Sequence, residues 1–140
     1  MKKLPNQSGF SLIELLMVVV IVGIIASVGL PSISKSREAA EKGAIIGVLR
    51  TLHNNETIYL SEKGRYARLN ELNRYFQNSL GTVSGNRINR GNYMFSMSPT
   101  NPSLTTLRTR YKVIAYRNSG GLFIPTFSID EDGTIDGLVP

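Results

Sequence analysis

Residues 10–30 read FSLIELLMVVVIVGIIASVGL, 21 consecutive positions with a single charged side chain, Glu14. A helix of about 20 apolar residues is long enough to cross a bilayer. The nine residues before this run, MKKLPNQSG, are short, basic and polar, and Pro31 follows it. An ordinary secretory signal has a shorter apolar core and then a small-x-small cleavage site. Here the run is long and no Ala-x-Ala follows it, so removal at its far end is not expected. Pro31 cannot donate to the Ser27 carbonyl as a continuing helix requires. A kink or local unwinding is therefore expected near Gly23, Gly29 and Pro31.

Helical spacing resumes from Ser32 to about Leu60. Ala44/Ile45, Val48/Leu49, Leu52 and Tyr59/Leu60 recur every three to four residues, with one gap near Glu56. Such a stripe faces a core, and Glu38 and Lys42 make a favourable i,i+4 pair. A helix from Phe10 to Leu60 would be about 75 Å long at 1.5 Å per residue, far more than a small domain covers. Its first half needs some other cover. Gly64 is a helix stop. A short second helix is expected over 69–80, around Leu69, Leu72, Tyr75 and Phe76, and a loop over 81–92, GTVSGNRINRGN. Strands are expected at Tyr93 to Ser98, Thr109 to Arg117 and Phe123 to Ile129. Turns are expected at Asn118-Ser119-Gly120-Gly121 and Asp132-Gly133. Pro125 favours an edge position or a bulge. The pattern is α+β: a long N-terminal α-helix, with a transmembrane half and an amphipathic half, packed on a small antiparallel β-sheet.

Length and composition narrow the classes. With 140 residues there is room for one domain, and no cysteine is present. A disulfide framework, a thiol nucleophile and a thiolate zinc site are excluded. The net charge is +6, unevenly placed. Residues 35–117 hold 14 Lys and Arg against five acids, whereas Asp130, Glu131, Asp132 and Asp136 near the end face no nearby base in sequence. Bipolar charge suits head-to-tail packing of identical copies; a solvated surface accounts for it equally well.

Glu14 is the position with the most chemistry. A carboxylate five residues into an apolar span is costly unless something compensates. Cutting between Gly9 and Phe10 would create an α-amino group, a natural counter-ion. That amine and Glu14 of the same helix are separated by about 6 Å of rise, so a neighbouring copy offset along the axis is the better donor. The pair would then act as a register device, since an unpaired charge in lipid penalises other offsets. A carboxyl near the headgroups, protonated or snorkelling, is the alternative on chemistry alone.

The block MKK…SGFSLIELLMVVVIVGIIASVGLPS resembles the class III leader and N-terminal helix of type IV pilins and type II secretion pseudopilins. The likeness includes Gly9 before the cut, Phe10 after it, Glu14 and Pro31. Further along, Leu49-Arg50-Thr51-Leu52, Glu56-Thr57-Ile58-Tyr59, Gly64-Arg65-Tyr66 and Leu72 resemble the end of the pilin helix and the loop after it. Arg110 to Ala115, Gly120-Gly121, Phe127 to Asp130 and Gly133-Thr134-Ile135 resemble the sheet of pilins that lack a disulfide. The resemblance is weakest over 73–108. It implies a leader peptide at 1–9, a transmembrane or filament-core helix at 10–30, its amphipathic continuation at 31–62, and a globular head with αβ-loop and sheet at 63–140.

The resemblance also implies a life cycle. A prepilin peptidase would cut after Gly9 and methylate the Phe10 amine. The subunit would sit in the inner membrane, N-terminus cytoplasmic and head periplasmic. An assembly platform, with minor pilins, would then extract it into a homo-oligomeric helical filament in which Glu14 and Pro31 serve assembly. The filament would be a cell-surface type IV pilus, in the adhesion, motility and DNA-uptake class of roles, or a periplasmic pseudopilus driving protein export. A membrane-tethered binding protein that never polymerises is the rival of another class. No enzymatic cluster is visible: His53 lacks an accompanying nucleophile elbow. Asp130, Asp132 and Asp136 offer hard oxygens for calcium, though no Glu follows as in an EF-hand. Arg65, Arg68, Arg74, Arg87, Arg90, Arg108, Arg110 and Arg117, with Tyr66, Tyr75 and Tyr111, could form a basic face of the kind that binds DNA.

Overall fold

The structure is a computed structural model that describes residues 9–138, apart from the side chains of residues 28–31 and 34. Residues 1–8, most of the segment expected to be a leader, lie outside the described residues. The chain divides into two compact units, Met1–Glu41 and Lys42–Pro140.

Helix α1 spans Leu12–Lys63 without a break. It begins where Ser11 stops being helical. The Ser11 N–H donates to Glu14 Oε2 at 3.0 Å, and the Ser11 carbonyl accepts from Leu15 at 3.2 Å. The helix ends at Gly64, whose N–H donates to the Leu60 carbonyl at 2.8 Å and whose φ is +69°. A left-handed residue in this position satisfies an orphan carbonyl, and glycine takes it without a Cβ penalty. Helical backbone continues through Pro31. The local unwinding expected between Gly23 and Pro31 is thus not a feature of the isolated subunit.

In the second unit, α1 turns one stripe inward: Ile45, Leu49, Leu52, Glu56 and Tyr59 are buried, while Ala44 is exposed. The stripe packs on a six-stranded antiparallel meander, β1 (Thr82–Ser84), β2 (Arg87–Arg90), β3 (Tyr93–Met97), β4 (Lys112–Ser119), β5 (Leu122–Asp130) and β6 (Ile135–Gly137), in that spatial order. Cross-strand rows fix which residues meet the helix. Ile88, Phe95 and Ala115 form one row; Met97, Val113, Ile129 and Ile135 form the next. Helix α2 (Leu69–Tyr75) adds Leu69 and Leu72, and Ala67, Leu80 and Leu107 close the same cluster.

Three expectations need correction. Residues 81–92 are a hairpin, β1 turning at Gly85-Asn86 into β2. It holds one well-buried apolar side chain, Ile88, whose neighbour Phe95 belongs to another strand. Alternation over so few residues is too short to read. Strand β4 starts at Lys112 instead of Thr109, because a 3-10 turn at Thr106–Arg108 comes first. Helix α2 stops at Tyr75, before Gln77 and Asn78, both at positive φ. Pro125 behaves as expected: the β4–β5 register shifts between Ala115 and Tyr116, leaving Thr126 as the extra residue of a bulge beside it. The Thr126 hydroxyl donates to the Ala115 carbonyl at 2.9 Å.

Candidate functional site

Gly9 and Phe10 lie in non-helical backbone ahead of α1, both exposed, with Phe10 86% accessible. The Gly9–Phe10 bond thus lies outside α1. Two residues on, Ser11 and Glu14 form the S-x-x-E box that opens many helices. The serine N–H is satisfied by one carboxylate oxygen of Glu14. That pattern is legible in the sequence and shows a second duty for Glu14, namely closing its own helix terminus. An acid in the first turn also suits the positive end of the helix dipole.

From Phe10 to Ser27 every side chain is exposed. Leu12, Ile13, Leu15, Leu16, Met17, Val18, Val19, Val20, Ile21 and Val22 are each more than half accessible. A helix apolar on all sides is stable only when something surrounds it. Ser27 turns its hydroxyl back onto the Ile24 carbonyl at 2.7 Å, removing a polar group from that surface. Among the described residues no helix is long and apolar enough to cross a membrane. The apolar sequence from Phe10 to Leu30 passes through residues 28–30, whose side chains lie outside that description.

A second polar constellation sits where α1 meets the αβ-loop. The gap in the apolar stripe is Glu56, which is fully buried. Its Oε2 accepts the Ala67 N–H at 2.8 Å, and Oε1 is buried with no partner among the described residues. Burial pushes the Glu56 carboxyl up to about 8; the Ala67 hydrogen bond opposes this and the Glu71 charge adds to it. Nearby, Arg65 pairs with Glu71 at 3.0 Å. Burial raises the Glu71 carboxyl, but Arg65 and the Arg68 N–H more than offset it and hold the group below its ordinary value. Tyr111 donates or accepts at His53 Nδ1 over 2.8 Å, and burial first, then the Glu56 charge, pushes its hydroxyl above the usual tyrosine range. His53 also backs onto Gly133: a Cβ there would lie 2.9 Å from His53 Nε2, and the glycine φ is +75°. These contacts tie helix, loop and the β5–β6 turn together. The sequence shows Glu56 only as a gap in a stripe, and Asn73 not at all. Asn73, buried in α2, donates to the Gly81 carbonyl and accepts from Leu80.

The remaining sequence candidates are dispersed. Among the described residues Asp130, Asp132 and Asp136 do not join in a cluster that could hold a metal ion: Asp130 ends β5, Asp132 lies in the turn and Asp136 pairs with Ser128 in β6. Arg87 and Arg90 do not share one face of the sheet. Arg65 is held by Glu71, and Arg68 donates to the Pro102 carbonyl.

Comparison with known proteins agrees with this arrangement. Residues 4–30 match the prokaryotic N-terminal methylation motif. The chain is 33% identical over 92 residues to the type IV major pilin protein PilA of Myxococcus xanthus, covering 66% of this chain and 38% of that protein. It is 30% identical over 71 residues to the type II secretion system core protein G of Escherichia coli, covering 51% and 49% respectively. With the core protein G of Aeromonas hydrophila it shares 35% over 61 residues, 44% of this chain and 43% of the other. The chain thus spans less than half the length of these relatives. With the methylation motif ahead of an apolar helix, and an antiparallel sheet after it, the chain is similar to type IV pilins and to type II secretion core protein G.

Proposed function

We propose that this chain is a structural, non-enzymatic subunit that polymerises into a type IV pilus. The observation that carries the reading is the start of α1, residues 12–27: apolar on every side, exposed at each of these positions and interrupted by one carboxylate. Such a surface needs a bilayer before assembly and other copies of itself afterwards. Prepilin peptidase would cut between Gly9 and Phe10 and methylate the new amine. The subunit would wait in the inner membrane with its head periplasmic until an assembly platform extracts it. In the filament, Glu14 meets the Phe10 amine of a neighbour, and Pro31 marks where backbone bonds can be exchanged for intersubunit packing.

Likeness to core protein G of several bacteria supports a second reading, a periplasmic pseudopilus serving protein export. N-terminal sequencing and intact mass of the native protein test what both readings share: the mature chain should start at N-methylated Phe10, and a start at Met1 or beyond Leu30 overturns both. Deleting the gene separates them. Loss of surface filaments with export intact supports the pilus; loss of export without loss of surface filaments supports the pseudopilus.

A further inference from the structure

The head sheet is open, and its two ends carry opposite charge. At one end β2, one strand in from the uncharged edge strand β1, presents Arg87 and Arg90, both exposed. At the other, β6 and the turn before it present Asp132 and Asp136, both exposed. Among the described residues none of these four makes an ion pair within the subunit. The register aligns them. Ser84, Arg87, Ser96, Ile114, Ser128 and Asp136 occupy one cross-strand row, so Arg87, one strand in from the β1 edge, and Asp136, at the β6 edge, lie on the same line and the same face. Four strand spacings put them about 19 Å apart, too far to meet inside one head. The local surroundings keep the two signs distinct. Lys112 lies across from Asp130, balancing the inner part of the acidic end, while Asp132 and Asp136 face outward. At the basic edge the nearby acid Glu71 is taken by Arg65.

We propose that these ends are complementary faces of one interface between copies of this chain, the acidic β6 edge of one head against the basic β1–β2 end of the next. Opposite signs toward the two ends of one row attract in a head-to-tail arrangement and repel in a head-to-head one. On the acidic side the joint is made at the short edge strand β6; on the basic side the Arg87 and Arg90 side chains of β2 have only the three-residue, uncharged β1 between them and the neighbour. A charged edge could instead serve only to deter stray strand pairing. That role asks for charge of either sign, whereas here the signs are segregated. The proposal rests on the filament reading and adds which surfaces of the head meet.

The chain has no cysteine, which makes crosslinking of native-length subunits clean. Cells co-expressing Arg87→Cys and Asp136→Cys subunits should yield filaments that a short bifunctional thiol reagent converts to dimers. The doubly substituted subunit should give a ladder, and either single variant alone should give monomer. Separately, Asp132→Lys with Asp136→Lys should lower sheared-filament yield on the order of tenfold, because like charges now face each other. Adding Arg87→Glu and Arg90→Glu to the same subunit should restore it. Filaments whose cysteines react singly with a maleimide but never crosslink overturn the proposal and leave the filament reading intact, as does a charge-reversed subunit that assembles like the native one. Absence of any filament from the native chain overturns the filament reading and this interface with it. If the charge-reversed head fails to fold, the cysteine pair still decides.

Discussion

The two halves of α1 share one backbone and differ in what they bury. From Phe10 to Ser27 no side chain is covered by the rest of the subunit, whereas from Ile45 to Tyr59 a stripe is sealed against the sheet. The second half resembles any amphipathic helix whose stability comes from tertiary packing. The apolar surface of residues 12–27 is not explained by contacts within its own subunit. The lesson is that a helix can be divided by function without being divided in backbone, and that among the described side chains the dividing line is where burial begins, at Ile45.

Substitutions in the two halves should therefore dissociate completely. Glu14→Ala removes a charge from an apolar surface, so membrane insertion and cleavage after Gly9 should persist while filaments fall to few or none. Thermal unfolding of the head should be unchanged. The measurement is sheared-filament yield against membrane-held mature subunit, and normal filaments at native expression would remove Glu14 from assembly. Leu49→Ala should do the converse. Leu49 is fully buried, and its truncation should cost the head about 2–5 kcal/mol, the usual range for a core leucine. Denaturant unfolding of detergent-held subunit reads this directly, and insertion into the membrane should be untouched. Equal effects of both changes on head stability would erase the distinction between the halves.

Glu56 sharpens the comparison, because each half of α1 carries one carboxylate in an apolar setting. Glu14 is exposed and available to a partner; Glu56 is sealed inside. Its folded-state value is raised from 4.5 to about 8, so the folded head binds a proton that the unfolded chain releases. The stability this provides is present in full below pH 4.5 and is lost as pH rises through about 8. The upper bound for the change is about 5 kcal/mol, from 1.36 kcal/mol per pKa unit. Denaturant midpoints taken across this pH range should decline for the native chain and stay nearly flat for Glu56→Gln, which keeps an acceptor for the Ala67 N–H. Parallel pH profiles for the two proteins would show that Glu56 is not buried neutral.

How much of this is legible in the sequence follows from where each signal lies. The N-terminal motif and the helix are read from a contiguous stretch, so Gly9, Phe10, Glu14 and Pro31 stand out in the sequence by themselves. Strands β3 and β5 have enough apolar residues to show themselves. Strands β1 and β6 do not, since each has three residues and its pairing is fixed by a partner elsewhere in the chain. The inward turn of Glu56 is not readable either. The sequence shows a charged residue interrupting a stripe, and only the loop bringing the Ala67 N–H to it explains why the interruption is tolerated. In the same way the terminal acids are visible as a charge bias, but their alignment with Arg87 along one row is a property of the register.

The smallest expected effect tests how the amphipathic half is fastened to the sheet's far end. His53 on α1 holds the Tyr111 hydroxyl at 2.8 Å and lies under the Gly133 turn. Tyr111→Phe keeps the ring against Tyr66, whose centroid is 4.7 Å away, and removes only the hydrogen bond. The loss should be about 1 kcal/mol, the net worth of one such bond, with some further cost if His53 Nδ1 is left without a partner. Gly133→Ala acts on the same ring from the other side, by crowding Nε2 and by forcing alanine into a left-handed backbone. Because both changes pass through His53, they should not add: with His53→Ala as background, Tyr111→Phe should become nearly neutral and Gly133→Ala should retain only its backbone cost. Full additivity in denaturant unfolding of the double variants would mean that His53 does not join helix and turn, and that the buried stripe alone holds the second half of α1 in place.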